Sequence, residues 1–522
     1  MMNRKTLLVL VLVLFQAAGC ATNAVTGKRN FQIYGSDWEQ QVGAQMYSPM
    51  KQSQGGDYVV DRELTEYVQQ VGNRLANQAR RKGELDYQFS IINSSVPNAW
   101  ALPGGKIVVN RGLLTELDSE AELAAVLGHE IVHADAAHGA RQQSTGMLAQ
   151  IGAVASMVIL GSKIDNRAAQ EVAMLIPTVG AQLIMQKYGR DAERESDEYG
   201  MLYMSEAGYD PQGAIELQET FVKLSEGRSS DWLSGLFASH PPSTERLENN
   251  RKSAAELPKK GEMGRERYKQ KLAYLRRVEP AYAAYDEALK AVSEEKLDLA
   301  QQKLSQAKRI EPREPLFMTL QGDLYRLKDD LGKASRSYDQ AIEANDGFFY
   351  PYLRKGQVEY DRKDWSNARP ALQSSLKLLP TAEAHYLLGL LDRKDGNEQQ
   401  ALAHFAEAAK SNSEAGKSAQ KEMIIVDLPK SPSKYIASQA AMDGSNTVWV
   451  QFANRTQVPI KNIVLNIAWL DDQGQTRQAR RSYRGPLAAG KQDQIKLNLK
   501  FRNQQELSSR IRVEVSAAEI AE

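Results

Sequence analysis

The chain has 522 residues, and its 66 Lys and Arg residues balance 65 Asp and Glu residues to a formal net charge of +1. This balance, together with the lack of any nucleic-acid-binding motif, argues against a nucleic-acid-binding protein. The length predicts two to four domains. The single cysteine excludes an intrachain disulfide framework, so the fold must depend on its hydrophobic cores.

Residues 1–19 have the pattern of a secretory signal peptide. Two basic residues precede an apolar run from Leu7 to Phe15, which is too short to span a membrane. Small residues then lead to Cys20, as in a bacterial lipobox, although Ala17 stands where that motif usually has Leu. We therefore expect cleavage before Cys20 and lipidation of this residue.

Lipidation of Cys20 would anchor a periplasmic protein to a bacterial membrane. Because Ala21 follows the cysteine, where inner-membrane retention would require Asp, the inner leaflet of the outer membrane is the favoured location. The alternative is a soluble periplasmic protein without the anchor. Residues 20–56 are expected to form a lipidated linker with a helix.

A strand and a helix are predicted next along the chain. The strand is expected to begin at Lys106, after a Pro-Gly-Gly turn, and is indicated by the β-forming residues Ile107, Val108 and Val109. Ser119 is a candidate N-cap, and Glu122 three residues later is its capping-box partner. A largely apolar helix is therefore expected to begin at this point.

That helix carries the run His129-Glu130-Ile131-Val132-His133, an H-E-x-x-H pattern. Positions four apart share a helix face, so both imidazoles can bind one ion, and Glu130 can reach a water bound to it. Zinc lowers the pKa of such a water to about 7, and a carboxylate can take its proton as it attacks a carbonyl. The alternative is a helix with two ordinary polar histidines, although histidines in an apolar helix need a partner.

Two apolar segments follow, Met147 to Leu160 and Val172 to Met185. Both are shorter than the roughly 20 residues that a membrane span requires, and Pro177 and Gly180 interrupt the second. We expect helices that pack over the active site, or a mobile lid. The alternative is a hairpin that contacts the membrane.

A third metal ligand is expected in the helical segment 189–197, where Glu193 and Asp197 lie four residues apart on one face. Beside an H-E-x-x-H helix, Glu193 is favoured as the ligand and Asp197 as the group that orients a ligand histidine. Glu195 lies on another face and is the weaker candidate. The alternative for an isolated segment is a solvated helix surface.

Four segments of the chain resemble motifs of the M48 family of zinc metallopeptidases, in the family's order. They are the H-E-x-x-H run, the segment 189–197, Asn98 to Leu114 and Ser239 to Arg246. The third of these is similar to the family's N-A-(F/W)-A-x-P-G-G edge strand, and the fourth to its H-P-x-x-x-x-R segment. The resemblance covers residues 57–250. It points to periplasmic, BepA-like members that also carry tetratricopeptide repeats.

The resemblance implies a role for each matching residue. The implied ligands of one zinc ion per chain are His129, His133 and Glu193. Glu130 would be the general base, and Asp197 would orient a ligand. His240 would lie near the metal, as a self-inhibiting fourth ligand or as a donor in the transition state. Arg246 would pair with nearby carboxylates or carbonyls, whereas His138 is outside the motif and is expected at the surface.

The resemblance also places the predicted strand 106–109 at the edge of a sheet. An unpaired edge can take an extended peptide as an extra strand and hold its scissile carbonyl by main-chain hydrogen bonds. Such binding tolerates many sequences, so a broad substrate range is expected. The alternative is a purely structural hairpin.

The residues between 265 and 415 contain an internal repeat. Intervals of 34, 34 and 33 residues separate Ala300, Ala334, Ala368 and Ala401. Glycines precede three of these alanines at a close-packing position, namely Gly322, Gly356 and Gly389. This is the tetratricopeptide period, a helix-turn-helix unit stacked on its copies. Its concave face generally binds peptides or partner proteins; the alternative is a scaffold that only positions the peptidase.

Beyond two candidate linkers, 251–264 and 416–434, the hydrophobic pattern changes to period two. Alternating apolar residues predict strands around Val450, Leu465, Leu497 and Val513. A turn is expected at Asp471 to Gly474. Residues 435–522 therefore indicate a small antiparallel β-sandwich, immunoglobulin-like in outline, which serves as a binding or spacing module.

The sequence as a whole predicts a multidomain fold. It combines a mainly α zincin-type peptidase domain with a small β-sheet (57–250), an α-helical repeat solenoid (265–415) and an antiparallel β-sandwich (435–522). The predicted function is a zinc-dependent endopeptidase of the bacterial envelope that acts on misfolded or unassembled proteins, with envelope proteins recruited by the repeats. The alternative is a repeat-based adaptor or chaperone with a latent or structural zinc site, which would need no base at Glu130.

Overall fold

The computed structural model describes residues 20–146, 188–227 and 240–521, apart from 242 and 259. The chain divides into two compact units, residues 1–351 and 352–522. The sequence predicts three folded domains, which is a finer division than these two units. The boundaries of these domains therefore stay a prediction. The predicted signal peptide and the two apolar segments between 147 and 185 lie outside the described residues.

Within the described ranges, no helix combines the length and the apolar character that crossing a bilayer requires.

The first unit begins with a short hairpin and two helices. These elements are β1 (Cys20–Thr22), β2 (Arg29–Phe31), α1 (Ser36–Ser53) and α2 (Arg62–Ala76). The two strands are antiparallel. Asp61 caps α2 by accepting a hydrogen bond from Leu64 N at 3.1 Å, and the apolar face of α2 is buried in the core.

A three-stranded sheet follows, in the spatial order β3-β5-β4. Its strands are β3 (Gln88–Ile92), β4 (Ala99–Leu102) and β5 (Lys106–Asn110). Strand β5 is parallel to β3 and antiparallel to β4, and all of its residues are buried.

The prediction that residues Lys106 to Val109 form the edge strand is therefore wrong, because β5 is the central strand. A run of β-forming residues indicates a strand but does not show how many neighbours will pair with it. The strand β4, from the same motif, lies at an edge and packs against the H-E-x-x-H helix.

The helices that surround the H-E-x-x-H motif follow the sheet. They are α3 (Arg111–Glu116), α4 (Glu120–Asp135), α5 (Arg190–Glu206), α6 (Gln212–Gly227) and α7 (Thr244–Glu256). Residues 138–146 are also helical. Helix α4 is buried along its whole length, and it packs against α2, α5 and α6.

The predicted capping box at the start of α4 is confirmed. Ser119 Oγ accepts a hydrogen bond from Glu122 N at 3.2 Å. The Glu122 carboxylate accepts one from Asp118 N at 2.7 Å, one residue before the cap. The first bond satisfies a backbone donor that the first helical turn leaves without a partner, and the second ties the residue before the cap to the helix, so the start of the motif helix is well defined.

Helix pairs of the predicted repeat type close the first unit. Its elements are α8 (Arg265–Lys271), α9 (Ala273–Ser293), α10 (Leu297–Ile310), α11 (Pro315–Leu327) and α12 (Leu331–Ala344). Helix α9 packs on α10, and α11 packs on α12. The linker expected at 251–264 is partly helical and packs on the core around helix α4, since Met263 O accepts a hydrogen bond from Ala121 N at 3.1 Å.

The second unit contains further helix pairs of the same type. They are built from α14 (Trp365–Leu378), α15 (Ala382–Lys394), α16 (Glu398–Ala408) and α17 (Glu414–Asp427), and α13 (Phe349–Asp361) lies at the boundary between the units. A Cβ at Gly389 would lie 2.5 Å from the ring of Phe405, which confirms the close-packing role of this glycine. The linker expected at 416–434 is largely helical within α17.

The second unit ends in two three-stranded antiparallel sheets, in the orders β10-β7-β6 and β11-β8-β9. The elements are α18 (Pro432–Tyr435), β6 (Ile436–Met442), β7 (Val448–Asn454), β8 (Ile460–Leu470), β9 (Thr476–Tyr483), β10 (Gln492–Leu497), α19 (Gln504–Arg510) and β11 (Ile511–Ile520). Both sheets contribute to one apolar core. The predicted multidomain, mainly helical fold with a β-sandwich is thereby confirmed.

Candidate metal centre

Four buried side chains converge around helix α4 in the first unit. They are His129, His133, Glu193 and His240, and their potential ligand atoms all lie within 4.8 Å of one another. The first two come from α4, the glutamate comes from the first turn of α5, and His240 precedes α7. None of the four is more than 8% exposed.

The separations within this cluster fit a zinc ion. His129 Nε2 lies 3.0 Å from His133 Nε2, and oxygens of Glu193 lie 3.6 and 3.5 Å from these two nitrogens. Zinc binds histidine nitrogen and carboxylate oxygen at about 2.0–2.2 Å, which places neighbouring donors of a tetrahedral site about 3.4 Å apart. His240 Nδ1 lies 3.2 Å from His129 Nε2 and 3.0 Å from Glu193 Oε1, as a fourth donor would.

The close approach of α4 and α5 brings Glu193 to the histidines. The two helices meet at Gly128 and Gly200, where an added Cβ on Gly200 would lie 3.0 Å from His129 N. A side chain at this crossing would separate the helices. The sequence carries glycine on both sides of the crossing, next to the first histidine of the motif.

Behind the cluster, Asp197 contacts the ring of His129. Its Oδ1 lies 2.9 Å from His129 Nδ1, the nitrogen that faces away from the other donors. Arg246 contacts two of the carboxylates of α5, those of Asp197 and Glu193. Its own position is set at the start of α7, where Ser243 Oγ accepts a hydrogen bond from Arg246 N at 3.1 Å.

Glu130 lies beside the donors without joining them. Its Oε1 is 3.5 Å from His240 Nε2. Its Oε2 is buried and has no hydrogen-bond partner among the residues that the structure describes. A buried carboxylate oxygen without a partner is costly, so it indicates a group that interacts with something other than the protein.

The electrostatics separate the two glutamates of the site. Burial raises the pKa of Glu130, and the nearby His240 and His129 offset this only in part. Burial acts in the same direction on Glu193, but His240 and His133 outweigh it and hold the pKa of this carboxyl well below its usual range. Burial also keeps His133 neutral by lowering its pKa. Glu193 is thus the charged carboxylate of the cluster, as a ligand must be.

Two residues of this region were not identified from the sequence. The expectation that His138 lies at the surface is wrong: it is 3% exposed, and its Nδ1 lies 3.0 Å from His133 Nδ1. Tyr188 stacks on His133 with 4.0 Å between the ring centroids. No sequence pattern marks Tyr188. His138 lies five residues after a motif histidine, but the periodicity of a regular α-helix would point it away from that histidine, so this spacing could not be interpreted from the sequence.

This donor set and its helical framework define a class of protein, the zinc-dependent metalloendopeptidases. Residues 62–254 match the model of peptidase family M48. The chain is 30% identical to the metalloprotease YcaL of Escherichia coli (strain K12), over 34% of this chain and 68% of YcaL. It belongs to peptidase family M48, which confirms the family, the enzyme class and the zinc dependence predicted from the sequence.

Two other relatives extend the comparison. The chain is 26% identical to the beta-barrel assembly-enhancing protease of E. coli (strain K12), over 66% of this chain and 82% of that protein. It is 31% identical to the mitochondrial metalloendopeptidase OMA1 of Schizosaccharomyces pombe, over 43% of this chain and 63% of OMA1. The first of these matches extends well beyond the length of the peptidase region.

Proposed function

We propose that His129, His133 and Glu193 hold the zinc ion and that Glu130 is the general base of peptide hydrolysis. The position of Glu130 carries this proposal, since its Oε2 is buried next to the donors without a hydrogen-bond partner among the described residues. A purely structural zinc site needs only its ligands, so an unpaired carboxylate there would destabilise the fold without a function. Bound zinc supplies a Lewis acid for the scissile carbonyl and lowers the pKa of water.

Glu130 accepts the proton of the attacking water and transfers it to the leaving amine. A general base works best when its pKa is not far below the working pH, and burial shifts the pKa of Glu130 in this direction. The contact between Glu130 Oε1 and His240 Nε2, at 3.5 Å, keeps the carboxylate on the side of the cluster where His240 lies.

Asp197 and Arg246 orient the ligands. Asp197 accepts a hydrogen bond from the Nδ1–H of His129, which leaves Nε2 of that ring free to bind metal. Arg246 fixes Asp197 through two hydrogen bonds and also neutralises Glu193. Such partners hold a ring in one orientation before the metal binds, so they act on metal affinity as well as on turnover.

His240 is the fourth donor of a resting state in which the peptidase is latent. This assignment is supported by its Nδ1, which lies 3.0 Å from Glu193 Oε1 and 3.2 Å from His129 Nε2. Catalytic zinc sites keep one position for water or substrate, and His240 would occupy it. The second candidate function is a repeat-based adaptor with a silent zinc site. It would apply if His240 stayed bound to the zinc. If His240 moves away, the same side chain can donate a hydrogen bond to the developing oxyanion.

The edge strand β4 binds the substrate as an additional strand. Asn110 N donates a hydrogen bond to Asn98 O at 2.8 Å, so Asn98 and Asn110 are a hydrogen-bonded pair at the end of the β4–β5 ladder. Because bonding alternates along an antiparallel pair, Ala99 and Ala101 direct their backbone groups away from β5. Ala99 also lines one cavity together with His129 and Glu130. A peptide paired with β4 would therefore pass in front of the metal centre.

In the cell, the enzyme acts on misfolded or unassembled proteins of the bacterial envelope, and its repeats recruit them. The signal-peptide pattern and the similarity to the beta-barrel assembly-enhancing protease support this role. Lipidation of Cys20 would hold the chain at the inner leaflet of the outer membrane. The peptidase (57–250), the repeats (265–415) and the β-sandwich (435–522) form separate functional parts.

The test measures zinc content and cleavage of an unfolded protein for wild type and Glu130→Gln. Glu198→Gln is the matched control, because Glu198 is an exposed residue of α5. Loss of the base should leave about one zinc per chain and lower the rate by roughly 10²–10⁴. A Glu130→Gln variant that cleaves as fast as wild type would overturn the proposal.

A further inference from the structure

We propose that His138 and Glu195 are positioning residues that fix the ring of His133, and that Asn23 in the N-terminal hairpin holds Glu195 in place. This inference rests on the proposed ligation of zinc by His133. It gives a role to two residues that the sequence patterns leave out of the site, and to a segment that lies outside the matched family region.

The ring of His133 needs an acceptor on the side that faces away from the cluster. A histidine that binds a metal through Nε2 carries its proton on Nδ1, and a buried N–H requires a partner. His133 is 2% exposed, and His138 Nδ1 lies 3.0 Å from its Nδ1. His133 therefore donates to His138, whose own proton is on Nε2. This arrangement fixes the tautomers of both rings.

The backbone after α4 is shaped to make this contact. In a continuous helix, residues five apart point about 140° away from each other, so His138 would face away from His133. Helix α4 ends at Asp135, and Ala137 has a φ of 53°, in the left-handed region. An alanine is disfavoured there because its Cβ approaches a carbonyl oxygen. Departures of this kind persist where the surrounding structure requires them, and they cluster at functional sites.

Glu195 completes the chain of contacts on the far side of His138. Its Oε1 lies 3.3 Å from His138 Nε2, the nitrogen that carries the proton in this arrangement, and this is an electrostatic contact, because its geometry is not that of a hydrogen bond. The carboxylate of Glu195, the two imidazoles and the metal position therefore follow one another in space. A carboxylate at the end of such a chain makes the ligand nitrogen more basic and holds its ring orientation. Asp197 supports His129 by direct contact, whereas Glu195 acts on His133 through His138, so both histidine ligands are linked to a carboxylate of α5.

The N-terminal hairpin holds Glu195 from outside. Asn23 Nδ2 donates a hydrogen bond of 2.5 Å to Glu195 Oε1. Asn23 is 5% exposed, and its Oδ1 accepts hydrogen bonds from Val25 N at 2.8 Å and Thr26 N at 3.2 Å. Its side chain is thus fixed by the turn between β1 and β2. The hairpin that begins at Cys20 is therefore a structural support of the metal centre.

The experiment measures zinc affinity on the full chain, by competition with a chelator, and the visible absorption of the Co²⁺-substituted protein. The variants are His138→Leu, His138→Asn, Glu195→Gln and Asn23→Ala, with Glu198→Gln on the exposed face of α5 as the control. Loss of the acceptor in His138→Leu should weaken zinc binding 10–100-fold and change the cobalt spectrum. His138→Asn keeps an acceptor near the position of Nδ1, so its zinc affinity should fall less than that of His138→Leu. Glu195→Gln and Asn23→Ala lie farther from the metal position, so their zinc affinity should also fall less.

The outcomes separate this inference from the proposed function. Wild-type zinc affinity and an unchanged cobalt spectrum in His138→Leu would overturn the inference and leave the ligation by His133 intact. If His138→Leu does not fold, as judged by circular dichroism, a wild-type zinc affinity and an unchanged cobalt spectrum in both Glu195→Gln and Asn23→Ala overturn it equally. A wild-type protein that binds no zinc would instead overturn the proposed function.

Discussion

Arg246 donates two hydrogen bonds to Asp197, from Nε to Oδ2 at 2.8 Å and from Nη2 to Oδ1 at 2.7 Å. Its third nitrogen, Nη1, lies 3.0 Å from Glu193 Oε2. One side chain of α7 thus holds two carboxylates of α5, and one of these carboxylates contacts His129. The guanidinium is shaped for this task, because its fork pairs with both oxygens of a carboxylate at once.

Replacing Arg246 by Lys should therefore reduce metal affinity. Lysine keeps the charge but cannot form the paired hydrogen bonds, so Asp197 would hold His129 less firmly. We expect a 10–100-fold loss of zinc affinity in a chelator competition. Arg251→Lys is the control, since Arg251 is an exposed residue of the same helix. Equal affinities for Arg246→Lys and wild type would contradict the positioning role.

Removing His240 should activate the enzyme. If this histidine is a fourth donor in the resting state, His240→Ala would free a coordination position while three ligands remain. We expect about one zinc per chain and a higher rate of cleavage of an unfolded protein. Metal analysis and a gel-based cleavage assay measure the two effects. A lower rate with unchanged zinc content would indicate that the main role of His240 is to donate a hydrogen bond during catalysis.

Substrate binding at β4 can be tested through its backbone. Ala101→Pro removes an N–H that points to the open side of β4, and proline is tolerated at such positions of edge strands. We expect a higher KM for peptide substrates with unchanged zinc content. Ala101→Val changes the side chain but keeps the N–H, so its KM should stay near that of wild type. Equal KM values for both variants would count against pairing of the substrate with β4.

The stability of the peptidase region should depend on pH through Glu120. This carboxylate accepts hydrogen bonds from Tyr67 Oη at 2.6 Å, Tyr209 Oη at 2.8 Å and Arg267 Nη2 at 2.8 Å. Burial alone would raise the pKa of Glu120, but these partners outweigh it and lower the pKa below 4.5. The unfolded state therefore binds the proton more readily, and the stabilisation is present at neutral pH and lost as the pH falls.

We expect Glu120→Gln to lower the free energy of unfolding at pH 7 by about 1–3 kcal/mol. The difference from wild type should shrink as the pH falls below about 4.5 through the pKa of the folded state. Denaturant unfolding of the zinc-loaded protein at several pH values measures this. A difference that stays constant with pH would show that the charge of Glu120 is not the source of the stabilisation.

The close packing of the helix pair α11–α12 can be tested with two glycines. A Cβ at Gly322 would lie 2.4 Å from the ring of Tyr338, whereas a Cβ at Gly332 meets nothing within 4 Å. Gly322→Ala should destabilise the protein by about 1–3 kcal/mol through overpacking. Gly332→Ala lies in the first turn of helix α12 and should leave the stability unchanged or raise it slightly. Thermal unfolding that shifts in the same direction for both variants would contradict the close helix contact.

The local parts of the site could be predicted because they depend on short-range geometry. The spacing of His129 and His133 places both on one face of a helix, and the spacing of Glu193 and Asp197 does the same in α5. The repeat period likewise follows from residues that pack within one helix pair. In the second unit, strand β9 was not predicted, because most of its side chains are exposed and polar or charged and it lacks the apolar alternation of β8.

The sequence by itself therefore determined the metal-binding motif, the helix that carries it, the repeat register and the presence of a β domain. Tertiary structure alone decided that β5 is central and β4 is the edge, and that Arg246 binds Asp197. It also decided that His138 turns back to His133. The physical reason is that these features depend on contacts between segments far apart in the chain, or on one unusual backbone angle at Ala137, and hydrophobic periodicity carries no information on either.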